Sequence, residues 1–161
     1  MPSYEIYYFP MPGRAFPTRC MLTLANVSYK NIIPNWPSDK PKMPYGRLPV
    51  LKEISEDGSE FTLSESIVID RYIAQKYGFL PKDEKKRATV EQYIAQICDP
   101  IEAYADFAYI IKTEDSKKKL IEVLTYFIEK HELILSQNPA GYYYGDSITL
   151  PDIYLYSIFN A

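Results

Sequence analysis

The stretch WPSDKPKMPYGRLPVL, residues 36–51, contains four of the chain's 13 prolines and its only tryptophan. Proline fixes its own φ angle and disfavours helical geometry in the residue before it, so these residues predict a stiff, irregular segment. The segment runs directly into the apolar pattern LPVLKEI, which predicts a strand. A rigid approach to a strand is therefore the feature that the neighbouring elements must accommodate.

Strand and helix patterns alternate on both sides of this segment. The predicted elements are, in chain order, a strand over 4–9, a helix that follows Pro17 and ends near Asn26, a strand over 29–33, a hairpin that turns at Asp57-Gly58, and a helix over 65–77. Ser64 is a candidate cap for the last helix, and Gly78 closes it. The order β-α-β, loop, β-β-α predicts a mixed sheet with helices on its faces.

The later segments all have helical patterns. Apolar side chains recur at helical spacing from Val90 to Ile111, with Pro100 as a kink, and again in a second helix that ends near Ser136. Thr149 and Asp152 form a capping-box pattern at the start of a last helix. The sequence therefore predicts an α/β domain over 1–79, a linker over 80–86 and an all-helical domain over 87–161.

The composition argues against several classes of protein. With 47% hydrophobic residues in 161, the chain can bury a core without disulfide bonds or a structural metal. Cys20 and Cys98 are interpreted as free thiols, with one disulfide between them as the alternative. The net charge is −3 and the basic residues are dispersed, which is a poor footprint for nucleic acid. No segment has the length and apolarity of a membrane span, and a single histidine, His131, argues against a metal site. We therefore expect a cytoplasmic protein.

Four motifs, in the expected order, give the sequence a resemblance to the cytosolic glutathione transferases of the tyrosine type, closest to the sigma class. They are YFPMPGRAFPTR at the N-terminus, WPSDKPKMPYGRLPVL as the sigma loop with its cis-proline strand, SESIVIDRYIAQKYG as the glutathione-binding helix, and GDSITLPDIYLY as the late capping motif. The resemblance implies a thioredoxin-like β-α-β-α-β-β-α domain with an irregular second helix, followed by an all-α domain. The family's helical domain is longer, so we expect this one to be incomplete.

The resemblance makes Tyr8 the candidate catalytic residue. A free thiol has a pKa near 8.5 and reacts as the thiolate, so a phenol that donates a hydrogen bond to sulfur favours the reactive form. Tyr7 competes for this role, because alternation in a strand directs Tyr7 and Tyr8 to opposite faces. The family's spacing to Gly13 selects Tyr8, and the resemblance gives Arg14 the role of supporting the tyrosine hydroxyl and the thiolate.

The resemblance also implies a set of residues that bind glutathione. Trp36 and Lys40 match positions at its glycyl end, where an indole N–H and an ammonium suit a carboxylate. Pro49 is expected to follow a cis peptide bond and to present the main chain of Leu48 to the cysteinyl part.

The γ-glutamyl end is assigned to the start of a helix. Ser66 would hold its carboxylate through the hydroxyl and the N–H, and Glu65 would pair with its amine. Cys20 lies inside a helix and is not expected to be the nucleophile. His131 lies on an apolar stripe and is interpreted as a core or interface residue, and Asp99 is a possible contact to a neighbouring subunit's glutathione.

The expected function is conjugation of the glutathione thiolate to small electrophiles, in a homodimer, with glutathione as co-substrate and no metal, nucleic acid or membrane partner. Two alternatives remain open. The same site could support glutathione-dependent isomerisation or peroxide reduction. The short helical domain instead favours a non-catalytic, crystallin-like structural or interaction protein.

Overall fold

The computed structural model describes residues 2–159. The chain divides into two compact units, of which the first ends at Phe79 and the second begins at Leu80. The first contains a four-stranded sheet with helices and the second contains helices alone. The predicted fold class, an α/β region followed by an all-α region, is confirmed.

Four strands and two helices form the regular part of the first unit. They are β1 (Ser3–Tyr7), α1 (Phe16–Leu24), β2 (Tyr29–Ile32), β3 (Val50–Ile54), β4 (Glu60–Ser64) and α2 (Ser66–Tyr77). The predicted irregular segment contains only two short 3-10 turns, Lys40–Lys42 and Pro44–Gly46, as its prolines lead us to expect. The sheet order is β2-β1-β3-β4, with β1 parallel to β2 and antiparallel to β3.

The core of the first unit follows from strand alternation and helix periodicity. Tyr4 and Ile6 of β1 are buried, while the alternate residues Glu5 and Tyr7 are half-buried on the other face. The helices contribute fully buried apolar side chains: Met21 and Leu22 from α1, and Ile69 and Ile73 from α2. Each such side chain stabilises the fold by roughly 1.5–3 kcal/mol relative to exposure, which fixes α1 and α2 against each other.

The strand register brings four chain segments to one end of the sheet. Tyr7, the last residue of β1, pairs with Ile32 at the end of β2 and with Val50 at the start of β3. Val50 in turn pairs with Ser64, the last residue of β4. Residues that follow β1, β2 and β4, and those that precede β3, therefore emerge at the same edge.

The predicted cap of α2 is wrong. Ser64 is still paired in the sheet, so the helix begins at Ser66, one residue after its predicted start, and Glu65 occupies the capping position with φ 70°. Among residues 2–159, no side chain caps α2, and the buried hydroxyl of Ser64 has no hydrogen-bond partner.

The second unit contains α3 (Glu84–Ala105), α4 (Glu114–Ser136) and α5 (Leu150–Phe159). Helix α3 begins inside the segment predicted as a linker, because the Asp83 side chain accepts the N–H of Lys86 and caps it. The predicted α-helix ends at Ala105 and does not continue to Ile111. The chain changes to a π-helical turn at Asp106–Ile110, and Ile111 is exposed.

The core of this unit lies where α3 packs on α4 and α5. Its buried side chains include Val90, Ile94 and Ile97 of α3, Leu120 and Phe127 of α4, and Leu150 and Ile153 of α5. Between residues 2 and 159, none of the helices combines the length and apolarity that crossing a membrane requires.

The start of α5 has the predicted capping contact. One carboxylate oxygen of Asp152 accepts the N–H of Thr149 at 2.8 Å and its hydroxyl at 2.6 Å. The other oxygen accepts the N–H of Tyr143 at 2.9 Å. The Tyr143 hydroxyl lies 2.6 Å from Nδ1 of His131, so the buried histidine belongs to the core of this unit, as the core interpretation predicts.

Candidate active site

The candidate site lies at the edge of the sheet where the four segments emerge. Tyr8 follows β1, Leu48 and Pro49 precede β3, and Glu65 and Ser66 follow β4. This convergence depends on the register and on the antiparallel direction of β3, since neither can be read from the spacing of these residues along the chain.

Tyr8 is held at its main chain and at its hydroxyl. Its N–H donates to the carbonyl of Ile32 at 3.1 Å, which continues the pairing of β1 with β2. The side chain is buried, and its hydroxyl accepts the main-chain N–H of Arg14 at 3.0 Å. Because this bond uses a lone pair, the hydroxyl proton of Tyr8 remains available to a ligand. The Arg14 side chain itself is exposed.

Gly13 makes this hydrogen bond possible. Its φ is +44°, and a Cβ atom built on it would lie 2.6 Å from the Tyr8 hydroxyl oxygen. Any other side chain would push the loop away from Tyr8, so glycine is required for the close approach as well as for the backbone angle.

Tyr7, the competing candidate, lies in a different environment. Its hydroxyl donates to the Glu5 carboxylate at 2.8 Å, on the face of β1 opposite to Tyr8. Burial and the neighbouring Glu5 carboxylate raise the pKa of Tyr7. A phenol whose proton is already donated to a carboxylate is poorly suited to donate to a thiol.

Aromatic rings connect Tyr8 to Trp36. The rings of Tyr8 and Phe9 have centroids 5.5 Å apart, and those of Phe9 and Trp36 lie 5.7 Å apart in an edge-to-face arrangement. The structure therefore brings Tyr8 and Trp36 to the same region through Phe9, to which the sequence interpretation assigned no role. Lys40 is exposed, and its aliphatic stem lies beside Gly46.

The Leu48–Pro49 peptide bond is cis, as expected, and the Trp36–Pro37 bond is also cis, which was not predicted. Leu48 is half-buried and lies outside the paired residues of β3. Across residues 2–159, the loop and turn hydrogen bonds between main-chain groups do not involve Leu48. A main-chain N–H and C=O outside the sheet pairing are the groups that an added strand uses.

The start of α2 has unused hydrogen-bond donors. The N–H groups of Val68 and Ile69 donate to the carbonyl of Glu65, but those of Ser66 and Ile67 have no acceptor in the described part of the chain. Free N–H groups at the positive end of a 12-residue helix favour an anion. Glu65 is exposed beside them.

Arg19 is the site residue that the sequence interpretation missed. It contacts the loop between β1 and α1, and its guanidinium carbon lies 5.7 Å from the centre of the Tyr8 ring. It is the only charged residue in α1, which is the signal that could have drawn attention to it.

Other candidates lie elsewhere. Cys20 is inside α1, and burial and the nearby Asp70 raise the pKa of its thiol, which keeps it protonated. Asp99 is an exposed residue of α3 in the second unit. A group of three or more His, Cys, Asp or Glu side chains fit to hold a metal ion is not found among residues 2–159.

Known proteins are similar to this chain in both sequence and fold. The family described as glutathione S-transferase, N-terminal domain, matches residues 4–75. A glutathione S-transferase class-mu 28 kDa isozyme of Schistosoma japonicum is 30% identical over 159 residues, which cover 94% of this chain and 76% of that protein. S-crystallin SL11 of Nototodarus sloanii is 32% identical over 167 residues, covering 95% and 77% respectively.

Solved structures agree with these relatives. A sigma class glutathione S-transferase of Fasciola hepatica superimposes with a TM-score of 0.82 at 25% identity, and the match covers 98% of this chain and 78% of that one. With a relative 30% identical along most of both chains, and a thioredoxin-like domain followed by helices, the assignment does not depend on any single motif. The chain belongs to the glutathione S-transferase family.

Proposed function

We propose that this glutathione S-transferase is sigma-like and that it activates the thiol of glutathione through Tyr8, for conjugation to small electrophiles in the cytoplasm. The observation that carries the proposal is the hydrogen bond from the Arg14 N–H to the Tyr8 hydroxyl. It leaves the hydroxyl proton of a buried phenol directed to a ligand at the one edge of the sheet where the other candidate residues emerge.

The chemical role of Tyr8 is to favour the thiolate. Its O–H donates to the sulfur and stabilises the charged form of the bound thiol, and each unit by which the thiol pKa falls corresponds to about 1.4 kcal/mol. A fall of about two units would make bound glutathione largely thiolate at neutral pH. We assign to Arg14 the further role of supporting the hydroxyl and the thiolate with its positive charge.

The remaining candidates would bind the two ends and the middle of the tripeptide. We assign the γ-glutamyl carboxylate to the N–H and hydroxyl of Ser66 at the start of α2, and its amine to Glu65. Leu48, which precedes Pro49, would pair its main chain with the cysteinyl residue. Trp36 and Lys40 would bind the glycyl carboxylate.

The thiolate then acts as the nucleophile. Its sulfur forms a bond to an electrophilic carbon, and the electron pair of the broken bond leaves with a leaving group or moves onto an acceptor atom that takes up a proton. The electrophile depends on a second-substrate pocket. Formation of the thiolate is the first step whichever electrophile is used, and it is the step that can be tested directly.

The test is an ultraviolet titration of thiolate absorbance with saturating protein. We expect the wild-type midpoint to lie well below the value near 8.5 of a free thiol, and Tyr8→Phe to return it towards that value. Tyr7→Phe is the matched control, because it removes a neighbouring phenol that is bound to Glu5, and should leave the midpoint unchanged.

If Tyr8→Phe left the midpoint where it is in the wild type, Tyr8 would not be the activating residue. If Tyr7→Phe raised it instead, the assignment would pass to Tyr7.

The similarity to S-crystallin SL11 favours a second candidate function, a structural or interaction role without turnover. The same titration separates the two, since a wild-type midpoint equal to that of free glutathione would support the structural role.

We also propose a homodimer. Its support is the exposure of large aromatic side chains on the first unit, 81% for Tyr45 and 47% for Phe61, and sedimentation velocity would test it.

A further inference from the structure

The guanidinium of Arg19 binds the loop that joins β1 to α1. Its Nη1 donates to the carbonyl of Met11 at 2.7 Å, with a longer contact of 3.5 Å to the carbonyl of Pro12. Its Nη2 lies 3.5 Å from the carbonyl of Phe9. One planar cation therefore faces three carbonyls within residues 9–12 of this loop, an arrangement that a fork of fixed N–H groups suits and a single ammonium does not.

Two further contacts anchor the guanidinium on the protein side. Its Nε donates to Oδ1 of Asn31 in β2 at 2.8 Å, and its carbon lies 5.7 Å from the centre of the Tyr8 ring, within the range of a cation–π contact. Arg19 is thus connected to β2, to the loop and to the face of Tyr8 at once.

The far end of the same loop makes the contact on which the proposed activation depends. Arg14 follows Gly13, and its N–H reaches the Tyr8 hydroxyl at 3.0 Å. The approach is so close that a Cβ at residue 13 would clash with that hydroxyl. An outward movement of the loop would lengthen this 3.0 Å contact and weaken the hydrogen bond.

We propose that Arg19 is a positioning residue for thiol activation: it holds loop residues 9–12 so that the Arg14 N–H stays on the Tyr8 hydroxyl. This inference rests on the proposed role of Tyr8. An oxygen that accepts a hydrogen bond is polarised into a stronger donor, and a lone pair already in use directs the Tyr8 proton outward. Arg19 thereby acts on the sulfur through the loop and Tyr8, without contact to the ligand.

The experiment compares Arg19→Lys and Arg19→Gln with the wild type by two readouts. The first is the midpoint of the thiolate titration with bound glutathione. The second is the hydrogen-exchange rate of the Arg14 amide, measured by NMR in the ligand-free protein. Lys30→Gln is the matched control, because it removes an exposed positive charge from the neighbouring position of β2.

Both Arg19 variants should raise the thiolate midpoint by about one pH unit and accelerate exchange at Arg14 about tenfold, the change that one lost hydrogen bond gives. Arg19→Lys keeps the positive charge. If it raises the midpoint and accelerates exchange as Arg19→Gln does, the effect comes from the fork of N–H groups and not from the charge. Lys30→Gln should change neither quantity. Circular dichroism identifies a variant that does not fold, and Arg19→Lys is the milder of the two.

An Arg14 exchange rate and a thiolate midpoint that both stay at wild-type values in a folded Arg19 variant would overturn the proposal. Faster exchange at Arg14, combined with a wild-type midpoint equal to that of free glutathione, would instead refute the proposed role of Tyr8 and support the hold of Arg19 on the loop. The two failures are therefore distinguishable.

Discussion

The chain begins two of its helices in opposite ways. At α5, Asp152 accepts three hydrogen bonds, from the N–H and hydroxyl of Thr149 and from the N–H of Tyr143. At α2, no side chain in the described part of the chain caps the helix, and Glu65 has a positive φ. Polar groups that satisfy one another stabilise a fold, whereas a strained residue beside unused donors suits a ligand. We therefore interpret the contacts at the start of α5 as stabilising the fold, and the start of α2 as a binding site.

The largest expected effect breaks the first half of this comparison. Asp152→Ala removes the helix cap and leaves the N–H of the buried Tyr143 without its acceptor, so the free energy of unfolding should fall by about 3 kcal/mol. Urea denaturation measures the loss. Asp146→Ala, a change at an exposed carboxylate nearby, is the control and should cost far less. An equal loss in both would show that the α5 contacts add no particular stability.

A change at α2 tests the second half. Ser66→Ala should weaken glutathione binding about tenfold, the effect of one hydrogen bond to a charged group, and barely change the free energy of unfolding. Calorimetric titration gives the dissociation constant. Ser64→Ala is the matched control, since the Ser64 hydroxyl has no hydrogen-bond partner in the part of the protein that the structure describes, and binding should be unchanged. Weaker binding in the control would extend the site to the end of β4.

The smallest expected effect is on the pH dependence of stability. It concerns His131, whose neighbour Tyr143 is bound to Asp152 at the start of α5. Burial lowers the pKa of His131 below its ordinary value of 6.5, so the unfolded chain takes up the proton first. The free energy of unfolding should therefore fall as pH drops from 7.5 towards 5.5, by less than about 1.4 kcal/mol per unit. His131 is the chain's only histidine, and His131→Gln should flatten this slope. An equal slope in the variant would assign it to other groups.

Local signals predicted most elements well. Proline at 49 before an apolar run marked a strand, alternation separated Tyr7 from Tyr8, and the Thr149–Asp152 spacing marked the start of α5. Each of these signals acts within a few residues, and the structure contains all three features. Strand and helix periodicity also separated the α/β region from the helices, because the two repeats differ.

The sequence prediction was wrong at two places where strand pairing or helix packing overrode a local signal. Ser64 has the residue type of a cap, but its pairing with Val50 keeps it in β4 and moves the start of α2. The stripe from Val90 predicted buried residues up to Ile111, yet the helix changes to a π-helical turn at Asp106 and leaves Ile111 exposed. Periodicity describes one face of a helix and does not reveal where packing partners end.

The sequence by itself determined the order of elements, the family and the candidate residues other than Arg19, because these depend on residue types at fixed spacing. Only the tertiary structure decided which groups meet. The register of β1, β3 and β4 brought Tyr8, Leu48 and Ser66 to one edge, and the folding back of the loop onto Tyr8 placed the Arg14 N–H on its hydroxyl and Arg19 behind it. Contacts between residues far apart in the chain arise from strand pairing and packing, which no local pattern encodes.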